Sequence, residues 1–159
     1  GGTENAYKMM LPLFEVMGKK SLLCGSSGSG QATKACNNML LAITMIGVGE
    51  AFSLGQNLGL NPQKLFEILS TSTGSCWAIN NYCPIKGVGP TSPADNDFNP
   101  GFSAELMLKD LALSQQAATE TGTPTKIGRL AHDIYSDFIT NNGGANLDFS
   151  AILTLLTKS

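Results

Sequence analysis

Apolar residues recur at helical spacing over residues 4–17, with Thr3 set to cap the start and Gly18 to stop the end. Pro12 falls inside this run, where it predicts a kink or a break. Residues 21–24, Ser-Leu-Leu-Cys, read as a short strand, almost the only convincing strand pattern in the chain. After a glycine-rich stretch, residues 31–58 read as one long helix, roughly 40 Å at the usual rise per residue. Its middle, MLLAITMIGVGEAF, is apolar nearly all round, which predicts burial on several sides or packing against another subunit.

Asn61-Pro62 is a cap followed by a first-turn proline and opens the next helix. Ser75 is placed to cap a shorter one through residue 82. Residues 84–101 hold four prolines and three glycines and predict an irregular loop, a candidate flap over a cleft. A helix over 103–121 closes at Gly122, the Thr123-Pro124 pair caps another through 141, and Gly143-Gly144 ends it. Asp148 caps a last helix over 149–156. From residue 31 onward the predicted fold is all-α.

Composition narrows the function classes. A chain of 159 residues can bury a real core, and only 14% of it is charged, which suggests apolar surface that meets a partner. A formal net charge of -2 with scattered Lys and Arg offers no basic stripe, so nucleic acid is excluded as a partner. Cys24, Cys36, Cys76 and Cys83 form no C-x-x-C pair and the chain has one histidine, so no metal site is expected and the cysteines read as reduced buried thiols. The longest apolar run, residues 39–48, is too short to cross a bilayer, so no membrane is expected. The opening Gly1-Gly2-Thr3-Glu4 reads as the tail of something larger. His132 reads as a satisfied core or surface histidine, and Trp77 as packing near the loop.

The stretch GSSGSGQATKACNNMLL, residues 25–41, carries the candidate chemistry. A dinucleotide fingerprint needs a glycine at position 33, which is Thr33, and a second strand further on. A flexible linker is one remaining reading, since Gly and Ser make flexible joints. An active site is the other. Backbone N–H groups at a helix start attract anions, so a substrate carboxylate would sit over Gly30 and Gln31. Lys34 lies about one turn in, where the positive end of the helix dipole disfavours a charged ammonium and suits a lysine to give and take a proton. Asn38 follows by four residues and shares that face.

GSSGSGQATKACNNMLLAI, EAFSLGQNLGLNP and GFSAELMLKDLALSQQAA together resemble the β-hydroxyacid dehydrogenase family over essentially the whole chain, and within it the members that act on 3-hydroxyisobutyrate. The resemblance implies an all-α C-terminal domain of the 6-phosphogluconate dehydrogenase-like type over 30–159. Residues 1–29 would be the last helix and strand of an NAD-binding Rossmann domain. It implies Lys34 as general acid/base, Gly30, Gln31 and Asn38 beside the substrate, and Lys109, Phe102 and Asp110 on the cofactor side, with no metal. The implied reaction is NAD-dependent oxidation of 3-hydroxyisobutyrate to methylmalonate semialdehyde in valine catabolism, in the mitochondrial matrix. The implied partners are the protein's own Rossmann domain and one or three further copies, as a homodimer or tetramer. The chain alone would be inactive. Alternatives are reduction of a tartronate- or glyoxylate-type semialdehyde with the same lysine, or a non-catalytic oligomerisation module of the same fold.

Overall fold

A computed structural model describes residues 1–157 and divides them into two compact units, Gly1–Asn37 and Asn38–Ser159, the second less its last two residues. In the first unit, α1 spans Glu4–Met17, and Thr3 Oγ1 accepts the Ala6 N–H at 3.2 Å as its cap. The helix runs through Pro12 without breaking, and none of its residues is buried. The 21–24 segment forms no strand, and among the described residues there is none. A strand exists only through a ladder of backbone hydrogen bonds to a neighbour, and the bond nearest this segment is a single one, Gly2 N–H to the Gly25 carbonyl at 2.8 Å. Gly28, at φ +89°, turns the chain in a conformation that L side chains rarely adopt, and α2, Ser29–Asn57, starts at the next residue.

Helix α2 continues into the second unit, where Ala42, Met45, Ile46, Val48 and Phe52 supply one wall of its core. By length and composition α2 is apolar enough to cross a membrane, contrary to the reading from residues 39–48 alone. In this fold 44% of its most apolar stretch is buried inside the protein instead. The other walls come from α4 (Trp77–Tyr82), α5 (Ala104–Thr121), α6 (Lys126–Asn141) and the short turn Phe149–Ile152. Helix α3 (Pro62–Leu69) packs Leu65, Phe66 and Leu69 against the same core, and α7 (Leu153–Leu156) closes the described chain.

Caps explain most of these boundaries. Asn61 accepts the Lys64 N–H, Ser103 accepts the Leu106 N–H, and Gly122 ends α5 in the left-handed conformation at φ 66°. Two predicted caps are not used. Helix α4 starts one residue after Cys76, with Ser75 Oγ accepting from the Asn80 amide. Helix α6 starts after Thr125, whose hydroxyl donates to Gln115 Oε1 on α5 at 3.0 Å, a tertiary bond that outcompetes the local cap. Gln115 and Met39 lie against α6 at Gly128, where an added Cβ would come 2.5 Å from Met39 Sδ and 2.9 Å from Gln115 Nε2.

The proline-rich loop is more ordered than a simple connection. Asp95 takes the Gly87 N–H at 2.7 Å and the Ser92 N–H at 2.9 Å, around a 3-10 turn at Pro93–Asn96. These backbone bonds hold its carboxyl below the usual carboxylate range. Asp97 and Phe98 follow with φ of 49° and 57°, a left-handed pair that costs about 1–3 kcal/mol each outside glycine. Of the cysteines, all free, only Cys83 is buried and Cys76 half-buried. Cys24 and Cys36 are exposed because they lie in the first unit, outside the core.

Candidate functional site

In the first unit, Gly30 and Gln31 form the first turn of α2 and Lys34 the next. The turn is braced from within: Ser29 Oγ donates to the Ser26 carbonyl at 2.7 Å and Thr33 Oγ1 to the Ser29 carbonyl at 2.8 Å. A Cβ on Gly30 would stand 3.1 Å from the Gly1 nitrogen, so the backbone there already runs close.

In the second unit, three predicted residues meet. Asn38 Nδ2 donates to Asp110 Oδ2 at 2.7 Å, a buried bond between α2 and α5 joining positions 72 apart in sequence. Lys109 Nζ lies 4.0 Å from the other oxygen, Oδ1, and its side chain is 61% exposed. Asp110 therefore fixes the Asn38 amide on one side and carries a cation on the other. A hydrogen bond to a charged group of this kind contributes about 1.5–3 kcal/mol when its partners are well aligned.

Phe102 belongs to a different group. Its half-buried ring lies 5.6 Å from that of Phe149, which stacks on Tyr82 at 5.3 Å, which in turn stacks on Trp77 at 5.2 Å. Trp77 is half-exposed rather than core. The Phe102 N–H donates to Asp148. His132 Nδ1 lies 3.0 Å from Asp133 Oδ1 on α6, in keeping with its bland reading. Among the described residues no three of His, Cys, Asp or Glu lie together as a metal site would need.

Two tyrosines are held neutral. Burial, reinforced by Asp148, pushes the Tyr82 and Tyr135 hydroxyls well above the ordinary tyrosine value of 10.0. A raised folded value means stability that is complete below the unfolded value and lost as pH rises above it, because the unfolded chain releases protons the fold retains. In an alkaline titration both tyrosines are expected to ionise only as helicity is lost. Tyrosinate absorbance followed beside circular dichroism checks this, and ionisation of these two tyrosines ahead of unfolding would contradict it.

Residues 28–156 match a family profile described as the NAD-binding domain of NADP-dependent 3-hydroxyisobutyrate dehydrogenase. The chain belongs to this dehydrogenase family, whose cofactor is of the NAD type. It is 47% identical over 156 residues to a protein of Mycobacterium bovis named "Probable 3-hydroxyisobutyrate dehydrogenase", covering 98% of this chain and 52% of that one. It is 45% identical to the mitochondrial 3-hydroxyisobutyrate dehydrogenase of Drosophila melanogaster, covering 99% of this chain and 48% of that one. The structure of the Mycobacterium tuberculosis 3-hydroxyisobutyrate dehydrogenase with L-serine superposes with a TM-score of 0.94 at 46% identity, over 99% of this chain and 54% of that one. The chain thus spans about half the length of the relatives it matches.

The residues present fit part of an NAD-type cofactor. Lys109 offers an exposed ammonium braced by Asp110, suited to an anionic or carbonyl oxygen, and Phe102 offers an apolar ring. Among the described residues there is no strand to build the glycine-rich crevice that grips a dinucleotide.

Proposed function

We propose that this chain is the catalytic-lysine half of an NAD-dependent dehydrogenase that oxidises 3-hydroxyisobutyrate to methylmalonate semialdehyde, a step of valine catabolism. It would work with a Rossmann domain of the kind the family resemblance implies, with residues 1–29 as the tail of that domain and 30–159 as the helical one. The observation that supports this reading most is the buried Asn38–Asp110 bond at 2.7 Å. It locks the amide one turn beyond Lys34 in α2 to the carboxylate that braces Lys109, and assembly alone requires none of these residues.

In this reading Lys34 takes the proton of the substrate hydroxyl during oxidation and returns it in the reverse direction. Asn38, fixed by Asp110, hydrogen-bonds the lysine or the hydroxyl, and the first turn of α2 at Gly30 and Gln31 receives the substrate carboxylate. Lys109 and Phe102 face the cofactor. A bound nicotinamide supplies the hydride acceptor. A 3-hydroxy acid is the favoured substrate class, since the M. tuberculosis relative was solved with L-serine, itself a 3-hydroxy acid. The word mitochondrial belongs to the names of the animal relatives, and a matrix location would follow them.

The deciding experiment is NAD reduction by the complete dehydrogenase on 3-hydroxyisobutyrate, with tartronate semialdehyde offered in the reverse direction. Turnover on the first is the expected result, and faster turnover on the second would reassign the substrate. Exposed Leu40 and Leu54 on α2, with Leu58 just past its end, suit a homodimer or tetramer. Sedimentation of the same preparation as a monomer would remove that part, and a folded oligomer with no turnover on any hydroxy acid would favour a purely assembling role.

A further inference from the structure

Asp148 lies at the centre of the second unit with no exposed surface. As a helix cap it would need one bond, the Ser150 N–H to Oδ1 at 3.0 Å. It accepts four more. Ser150 Oγ donates to Oδ1 at 2.6 Å, and Oδ2 takes the Tyr82 hydroxyl and the N–H groups of Gly101 and Phe102, each at 3.0 Å. The main chain around it repeats the attachment. Asp148 N–H donates to the Phe98 carbonyl, Phe149 N–H to the Phe102 carbonyl, and Ala104 N–H to the Leu147 carbonyl, all at 2.9 Å.

This strip binds the stretch that precedes α5. Residues 97 and 98 are in the left-handed conformation, which persists only where the surroundings over-determine it. Gly101 is glycine at the point of tightest approach, where a Cβ would stand 3.0 Å from the Tyr82 oxygen. Phe102 follows, then the Ser103 cap, then the helix that carries Lys109 and Asp110. Two donors on Oδ1 and three on Oδ2 require an acceptor at both positions, which a carboxylate provides and an amide, with its single oxygen, does not.

We propose that Asp148 is a positioning residue of the cofactor side of the site, setting Phe102 and the start of α5 through the Gly101–Phe102 backbone. The proposal rests on the dehydrogenase reading for its kinetic consequence but not for its structural one, and the test separates the two. Amide hydrogen exchange on the 159-residue chain needs no cofactor. In Asp148→Ala, which removes both acceptors, the Gly101 and Phe102 amides are expected to exchange about ten-fold faster, whereas Ala104, bonded to a backbone carbonyl, keeps its rate.

In the complete dehydrogenase, Asp148→Ala is expected to raise KM for NAD about ten-fold and to change kcat less than about three-fold. A fold defect alone lowers the active fraction, and so kcat, at constant KM. Should Asp148→Ala fail to fold, Tyr82→Phe removes one donor from the same oxygen and keeps the carboxylate, and a smaller rise in KM at preserved kcat is expected. Unchanged exchange at Gly101 and Phe102, or loss of kcat at constant KM, overturns the proposal. A parent enzyme with no turnover on any hydroxy acid removes the dehydrogenase reading, and the exchange rates then support or overturn the anchoring by themselves.

Discussion

Lys34→Ala lowers kcat of the complete dehydrogenase by roughly a hundred- to ten-thousand-fold, the range expected when a positioned acid/base is removed. The argument is chemical. Oxidation of a hydroxyl by hydride loss leaves a proton that must go somewhere, and the lysine amine near the start of α2 is the group proposed to take it. Arginine keeps the charge but cannot give up its proton near neutral pH, so Lys34→Arg is expected to be as inactive as the alanine variant. Steady-state kinetics at saturating substrate and cofactor checks both variants. Undiminished kcat in either would take Lys34 out of the chemistry and leave the glycine run as a linker.

Phe149→Ala destabilises the chain by about 3–5 kcal/mol, the usual cost of emptying a buried aromatic site. Phe149 is among the largest fully buried side chains, and its ring lies against both Tyr82 and Phe102. Its carbonyl also accepts the buried Tyr135 hydroxyl at 2.9 Å, so repacking into the void would disturb that bond. A domain of ordinary stability has about 5–15 kcal/mol in all, so the variant loses a large share. Urea unfolding followed by circular dichroism measures the shift. A loss under about 1 kcal/mol would mean that the aromatic cluster is not part of the core that holds the fold.

What the sequence made legible was local. Asn61-Pro62 and Gly122 announce helix boundaries because caps act within three or four residues, and the structure uses both. Lys34 and Asn38 were readable as neighbours from their spacing alone. The failures are nonlocal. The 21–24 pattern formed no strand, and α6 starts two residues later than Thr123-Pro124 predicts, after Thr125, whose hydroxyl goes to Gln115 on the neighbouring helix. Asp148 was legible only as a cap, since its other partners include Tyr82, 66 positions away, and Gly101, 47 away. No pattern in the sequence pairs Asn38 with Asp110 either. Their joint appearance among the site residues came from the family resemblance, and the distance between them from the structure.

The chain contains a single tryptophan, and it sits half-exposed on the face of Tyr82, whose hydroxyl ends on Asp148. Its fluorescence therefore comes from one place and carries no background from elsewhere. Loosening of the carboxylate centre would alter the indole's contact with the tyrosine ring, and so its emission colour and lifetime, without any label being attached. The protein thus carries its own optical gauge of the ground from which α5 rises.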